Sequence, residues 1–304
     1  MHVHYIMTRI REFRTLLHHI LIHPNNRNGK FAAIFRLMKW QLLKNVSKKG
    51  VIVPVGTNRL FKVVCDSKFS SLVIYNRLPD WDEMNFLLRF LRHGDAFIDI
   101  GANVGFYTVL ASTVISEQPL IAIEANPRNV TILREQVALN KLSNVRVFET
   151  ALGNTNGELI FEDISRETGS LAPRSDFSGP QIRVSCSLLD DVLASLNIAA
   201  PVLVAKMDTE GCEGMILEGA EKTLRAGTVG IWLFELADVS LRRHGSSAEE
   251  LVSMFEKHGY SILYWDEEHR RLGRRGDEYD SGRANYLACN YAQLQERLLV
   301  KQLV

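Results

Sequence analysis

The run Phe97-Ile98-Asp99-Ile100-Gly101-Ala102-Asn103-Val104-Gly105-Phe106-Tyr107-Thr108 constrains this chain more than any other stretch. An apolar strand breaks into a turn bearing two glycines, and a helical pattern follows at once. The next apolar strand, Leu120 to Ile123, closes on Glu124, 23 positions after Gly101. Strand, glycine turn, helix and an acid ending the neighbouring strand describe a nucleoside pocket at the carboxyl ends of parallel strands. Strand and helix patterns keep alternating: Ala96 to Ile100, Gly105 to Val114, Leu120 to Glu124, Pro127 to Asn140, Val145 to Thr150. That alternation predicts an α/β fold, a doubly wound and mostly parallel sheet covered on both faces.

The chemistry of the turn narrows the ligand. A dinucleotide needs G-x-G-x-x-G so that its pyrophosphate can approach bare backbone at a helix N-terminus. Here Asn103 stands where the second glycine would be. S-adenosylmethionine keeps the adenosine but replaces the phosphates with a compact amino acid and a sulfonium. It asks for close approach at Gly101, a polar side chain such as Asn103, and an acid for the ribose, which Glu124 supplies. The plainer reading of the glycines is a positive φ at Gly101 and close helix-to-sheet packing at Gly105.

A second constellation follows in Val202-Leu203-Val204-Ala205-Lys206-Met207-Asp208-Thr209-Glu210-Gly211-Cys212-Glu213. This apolar strand delivers Asp208 and Glu210 to its carboxyl end, and one strand later Ile231 to Phe234 ends on Glu235. Carboxylates at this edge can accept a proton from a hydroxyl, hold an amine or sugar, or ligate a hard cation. Taken singly, each is equally well a cap or an ion pair: Asp208 for the helix expected over Glu213 to Arg225, or for Lys206 on the same strand face.

The chain of 304 residues, 46% hydrophobic, can bury a full core. Its net charge of +1 gives no overall pull toward nucleic acid. Four scattered cysteines offer neither a disulfide framework nor zinc spacing, so no metal is expected and a cytoplasmic setting is the simplest one. The charge is nevertheless uneven. Residues 1–50 hold ten Lys or Arg against one acid, Glu12. Apolar residues recur there at helical spacing, at Ile6, Ile10, Phe13, Leu17 and Ile20, then at Phe31, Phe35, Met38 and Leu42. Two amphipathic helices split by His23-Pro24-Asn25-Asn26 are therefore expected. The longest apolar run is too short to span a bilayer and lacks a cleavage site for a signal peptide. Such an arm either packs on the catalytic domain with its basic faces in water, which is the simpler expectation, or makes peripheral contact with an anionic membrane.

Residues 51–80 read as a β-hairpin around Gly56-Thr57-Asn58, with Leu72 to Tyr75 as a third strand. From Asp82 a helix is expected to run to a glycine cap at Gly94. Glu158 to Glu162 and Ile182 to Ser187 read as an inserted pair of strands. A capping box at Ser246 to Glu249 opens a late helix, and Tyr260 to Trp265 and Asn285 to Cys289 are the last two strands, antiparallel to each other. The loop between them carries Arg270, Arg271, Arg274 and Arg275 and reads as solvated. The tail Tyr291 to Val304 reads as an amphipathic helix. The organisation expected is thus a basic helical extension over 1–50, a hairpin region over 51–80 and a catalytic domain over 81–304.

Five motifs in order carry a resemblance. They are D-I-G-A-N-V-G-F-Y-T, I-E-A-N-P, E-T-A-L-G-N-T-N-G-E-L, S-L-L-D-D-V-L and K-M-D-T-E-G-C-E-G-M-I-L-E-G-A. Between about Asp82 and Asp238 the chain resembles the FkbM family of S-adenosylmethionine-dependent methyltransferases. The resemblance implies the class I, Rossmann-like methyltransferase fold with seven strands, one of them antiparallel. It also implies methyl transfer to oxygen on sugars, glycans or secondary metabolites, a small-molecule or glycan acceptor with no nucleic acid. Carried over, Gly101, Asn103 and Gly105 form the cofactor turn together with Asp99, Ala102 and Thr108. Glu124, with Ala125 and Asn126, takes the ribose hydroxyls, and Glu149, Thr150 and Ala151 line the adenine. Asp208, Glu210 and Glu213 match the acidic D-x-E-G-x-E pattern, and Asp208, Glu210 and Glu235 are the candidate catalytic acids. Met207, Thr209 and Cys212 depart from the family's usual residues beside Asp208, which affects the acceptor pocket and not the cofactor turn. A nicotinamide dehydrogenase is disfavoured by Asn103. A non-catalytic adenosyl-binding protein, held to a membrane or partner by the basic arm, is the remaining alternative.

Overall fold

The computed structural model describes residues 2–46, 50–65, 67–162, 170–171, 181–196, 198–280, 282–289, 294 and 297. Two helices, α1 (His2–Ile22) and α2 (Lys30–Val46), lead into the hairpin β1 (Val51–Val55) and β2 (Arg59–Val63). Then come α3 (Lys68–Asn76), α4 (Trp81–Phe90), β3 (Ala96–Ile100), α5 (Phe106–Ala111), β4 (Leu120–Glu124), α6 (Pro127–Leu139) and β5 (Val145–Glu149). The insertion holds β6 (Ala151–Leu152), β7 (Gly157–Glu162), β8 (Ser170–Leu171) and β9 (Gln181–Ser187). The chain continues through α7 (Leu189–Ala194), β10 (Leu203–Met207), α8 (Glu213–Glu218), α9 (Glu221–Ala226), β11 (Ile231–Glu235), α10 (Asp238–Arg243) and α11 (Ala248–Lys257). It closes with β12 (Ser261–Asp266), β13 (Arg271–Arg274) and β14 (Asn285–Cys289).

The central sheet has eight strands in the order β13-β12-β14-β11-β10-β3-β4-β5. β11, β10, β3, β4 and β5 run parallel, while β14 lies antiparallel between β11 and β12. β3, β4 and β10 are buried along their whole length, as continuous apolar strands covered on both faces must be. The order reverses at β3–β10, where an open α/β sheet binds its ligand. The insertion forms its own four-stranded sheet, β6-β9-β7-β8.

The structure corrects several local expectations. Leu72 to Tyr75 is not a strand but part of α3, started by the Ser67 side chain accepting from Ser70 N (2.9 Å). A short apolar run carries no period of its own, and this one is decided by its cap. α4 ends at Phe90 and not at Gly94, because Asp95 turns the chain by accepting from Arg92 N (2.8 Å) and from both guanidinium nitrogens of Arg297. The helix expected over Glu213 to Arg225 is broken into α8 and α9. Gly219 sits there against the backbone of Gly153, so close that a Cβ would lie 2.0 Å from its carbonyl oxygen. Asp190 caps α9, accepting from Lys222 N (2.9 Å) and Thr223 N (2.8 Å). The arginine-bearing loop after β12 contributes an eighth strand, β13, paired antiparallel to β12. The expected tail helix lies outside the described residues except at Leu294 and Arg297.

α1 and α2 form as the spacing predicts, but α2 packs by a different face. Ala33, Leu37 and Trp40 are buried in the same core as Phe61, Phe97 and Val204, whereas Phe31, Phe35, Met38 and Leu42 face outward. Trp40 Nε1 donates to Ser71 Oγ (3.0 Å), and Arg36 donates to the carbonyls of Ile74 (3.0 Å) and Tyr75 (2.8 Å), which fixes the helix to α3. Among the described residues no helix is long and apolar enough to cross a membrane.

Candidate functional site

The strand register gathers the sequence motifs at one edge of the sheet. Ile100 pairs with Ile123 on one side and Met207 on the other, and Met207 pairs with Phe234. The next residue along each strand is therefore Gly101, Glu124, Asp208 or Glu235, side by side. The cleft above them is lined by Ile100, Gly101, Asn103, Ile123, Glu124, Ala125, Asn129, Thr150, Ala151, Leu152, Asp208, Thr209, Glu210, Cys212 and Ile216.

The turn is built around backbone approach. Gly101 has φ +74°, and a Cβ there would lie 2.1 Å from the Asp208 carbonyl oxygen, so the close contact glycine permits is between β3 and β10. Gly101 N and Ala102 N both donate to Ile123 O (3.0 Å each), holding the turn against β4. Gly105, at φ +85°, faces Leu133 of α6, where a Cβ would come within 2.5 Å of its Cδ1. Gly105 thus serves helix packing, and Ala102 is buried with Ala122 and Leu133, so neither reaches the cleft. Asn103 (φ +50°) and Glu210 (φ +57°) hold left-handed conformations beside the cleft, at a cost that only surrounding structure sustains.

Glu124 is the hub of the cofactor side. Its Oε2 accepts from Asn103 N and its Oε1 from Asn126 N, both at 2.8 Å. Burial raises its pKa, against the lowering effect of these backbone bonds and of Asn129. Three accepted bonds, that of Asn129 included, still leave acceptor capacity on a carboxylate that lines the cleft. Asn126 itself caps α6, accepting from Arg128 N (2.9 Å). Asp99 accepts from Thr108 Oγ1 (2.6 Å) within the buried core and lies beside Lys206 in the strand register. Glu149 turns away to pair with Arg134 (2.9 Å). Of the cofactor residues expected from sequence, Gly101, Asn103, Glu124, Ala125, Thr150 and Ala151 line the cleft, while Asp99, Ala102, Gly105, Thr108, Asn126 and Glu149 support it or lie outside. Asn129 and Leu152 line it without having been expected; the first lies in the first turn of α6, the second inside the motif that begins at Glu149 but one residue past the stretch assigned to the adenine.

At the other end the carboxylates form a network about one lysine. Lys206 Nζ donates to Asp208 Oδ2 (2.8 Å) and lies 4.5 Å from the centre of the Tyr107 ring. Burial lowers the lysine's pKa, but Asp208, Asp99 and Asp80 together raise it above its ordinary value, so it is a fixed cation. The Tyr107 hydroxyl donates to Asp80 Oδ2 (2.8 Å). Asp208 is not a helix cap. No side chain caps α8 at its N-cap residue Cys212; Glu213 instead fixes the loop before the helix, its Oε1 accepting from Thr209 N (2.8 Å) and Thr209 Oγ1 (2.9 Å). Glu235 has its pKa pushed up to about 7 by burial first, then by Asp208, Glu210 and Glu213. Glu83 is likewise pushed up to about 7 by burial and by Asp80. Asp80, Glu83 and Tyr107 were missed in sequence, because only the fold brings α4 and α5 to the end of β10. Among the described residues, no three His, Cys, Asp or Glu side chains are placed to hold a metal ion.

Comparisons with known proteins agree with this geometry. Residues 99–262 match the family described as Methyltransferase FkbM domain. In fold, the chain is similar to the crystal structure of an FkbM methyltransferase from Methylobacillus flagellatus, at 13% identity and a TM-score of 0.41, over 84% of this chain and 59% of that one. It is also similar to a precorrin-6y C5,15-methyltransferase from Geobacter metallireducens (13% identity, 67% of this chain, 85% of that one, TM-score 0.37). A third is the fibrillarin of Aeropyrum pernix with bound S-adenosyl-L-methionine (14% identity, 68% of this chain, 76% of that one, TM-score 0.38). No curated protein matches the chain in sequence. More than half of its length lies within the matched segment, and the chain belongs to the FkbM methyltransferase domain family.

Proposed function

We propose that the chain transfers the methyl group of S-adenosylmethionine to a hydroxyl oxygen of a sugar, glycan or secondary metabolite, by direct SN2 displacement. The observation that carries this reading is the pairing of two unlike ends in one cleft: Glu124, holding the backbone of the turn, at one, and Asp208, tied to Lys206 and next to Glu210, at the other. The cofactor supplies a sulfonium methyl that is already activated.

The chain's own residues supply the rest. Glu124 and Asn103 hold polar groups of the nucleoside and amino acid, and Thr150, Ala151 and Leu152 form the wall past β5 for the adenine. Asp208, held in place by Lys206, serves to anchor an acceptor hydroxyl. Glu235, with a pKa near neutrality, takes the proton as the oxygen attacks. Glu210, kept beside them in its left-handed conformation, completes the acidic wall. Alignment at about 3 Å and exclusion of water contribute more than the base does.

Incubating the protein with methyl-labelled S-adenosylmethionine and a panel of hydroxylated sugars and polyketide-like compounds tests the reading. An O-methyl product, with turnover cut at least tenfold by Asp208→Asn at nearly unchanged cofactor affinity, supports it. A product methylated on nitrogen or carbon, or full turnover in Asp208→Asn, contradicts it.

A further inference from the structure

α2 is apolar on two opposite faces, and among the described residues only one of them has a partner. Ala33, Leu37 and Trp40 are buried against the domain. On the outer side Phe31 and Val46 are 90% and 85% exposed, and Phe35, Met38 and Leu42 between 60% and 69%. Steps of four, three, four and four residues set these five along one stripe of a 3.6-residue helix. Among the described residues, seven of the twelve large exposed hydrophobics fall within residues 1–46, so they form a patch and are not scattered singly. The helix cannot roll to hide them, since Arg36, Trp40 and Gln41 are hydrogen-bonded to α3 on the inner side.

What covers the stripe is decided by charge. α2 contains no acid, and residues 1–50 carry ten Lys or Arg against Glu12 alone. A second copy of the chain would set this basic patch against itself across a two-fold axis, which like charge opposes. An anionic bilayer meets both properties at once, headgroups for the lysines and acyl chains for the stripe. Beside the stripe lies a groove of about 280 Å³ between α2, β1 and α3, floored by Val51, Val53, Pro54 and Val73 and carrying Lys39 and Arg77. It extends the apolar surface toward Ile52, itself 56% exposed.

We propose that the outer face of α2 seats the protein on an anionic lipid surface, with Phe31, Phe35, Met38, Leu42 and Val46 entering the headgroup boundary and Lys30 and Lys39 at its flanks meeting the lipid charges. This is a peripheral attachment, independent of cofactor binding, so it stands or falls apart from the catalytic reading.

The test is co-sedimentation of the full chain with vesicles of phosphatidylcholine containing one third phosphatidylglycerol, and with pure phosphatidylcholine vesicles. The expected result is binding to the anionic vesicles that weakens at least tenfold in Phe31→Ser/Phe35→Ser/Leu42→Ser and falls as salt is raised. The three residues are exposed, so the variant keeps the parent's circular dichroism and melting temperature. Lys30→Gln/Lys39→Gln is expected to weaken the preference for the anionic vesicles. No binding by the parent, or equal binding by the parent and the serine variant, overturns the proposal. So does a concentration-dependent dimer in sedimentation velocity that the serine variant abolishes, which would assign the stripe to a second copy.

Discussion

Glu235 is expected to make this protein less stable in order to make it active. Its carboxyl is raised from an ordinary pKa of 4.5 to about 7, by burial first and then by Asp208, Glu210 and Glu213. Below pH 4.5 the group is protonated whether the chain is folded or not. Between pH 4.5 and 7 the folded chain keeps a proton that the unfolded chain has released, so stability falls as pH rises, and the loss is complete above 7. A displacement of that size corresponds to about 3 kcal/mol at full burial. Glu235 is partly exposed, and solvent screening reduces the figure to about 1–2 kcal/mol. Glu235→Gln keeps the shape and removes the charge. At pH 8.5 it should therefore melt above the parent, by about 1.5–3 °C for a chain of this size, and the gap should shrink markedly at pH 5. The same variant should lose turnover, and the parent's kcat/KM should rise with pH through about 7 while the variant's stays flat. Calorimetric melts and initial rates at the two pH values measure both sides. A variant that is equal to or less stable than the parent at pH 8.5 would refute the burial argument, whatever its activity.

Two further substitutions probe the turn. Gly101→Ala forces a side chain into φ +74° with a Cβ 2.1 Å from the Asp208 carbonyl oxygen; urea titration should show a loss of more than about 3 kcal/mol, and a loss under about 1 would mean the β3–β10 contact gives way easily. Glu124→Gln turns one acceptor oxygen into a donor facing a backbone N–H, either that of Asn103 or that of Asn126. It should weaken cofactor binding by about 1.5–3 kcal/mol, the worth of a hydrogen bond to a charged group, as read by calorimetry; unchanged affinity would take Glu124 out of the site.

The sheet was legible because its inner strands are mostly apolar. β3, β4 and β10 are buried on both faces and read as apolar runs, interrupted only by Asp99 and Lys206 and ended by glycine or acid, a signal that needs no tertiary knowledge. Where the outcome depended on a distant contact, the sequence misled. Gly219 broke the helix after Glu213 only because Gly153 lies against it, and Leu72 to Tyr75 became helical through the Ser67 cap. In α2 the larger apolar residues had the clean period, yet the face that packs is the one with Ala33 and Trp40, since the small residue and the indole fit against α3. The same limit applied at the site. Gly101, Glu124, Asp208 and Glu235 were readable as strand ends, whereas Asp80 and Tyr107 join them only through a contact across 27 residues of chain.

The claim beneath all of this is that the cleft over Gly101, Glu124 and Asp208 holds S-adenosylmethionine. Titration calorimetry of the full chain with S-adenosylhomocysteine measures it most directly. One saturable site, weakened in Glu124→Gln and retained in Asp208→Asn, is the predicted result. No heat of binding from a folded parent, or binding that Glu124→Gln leaves unchanged, would contradict it.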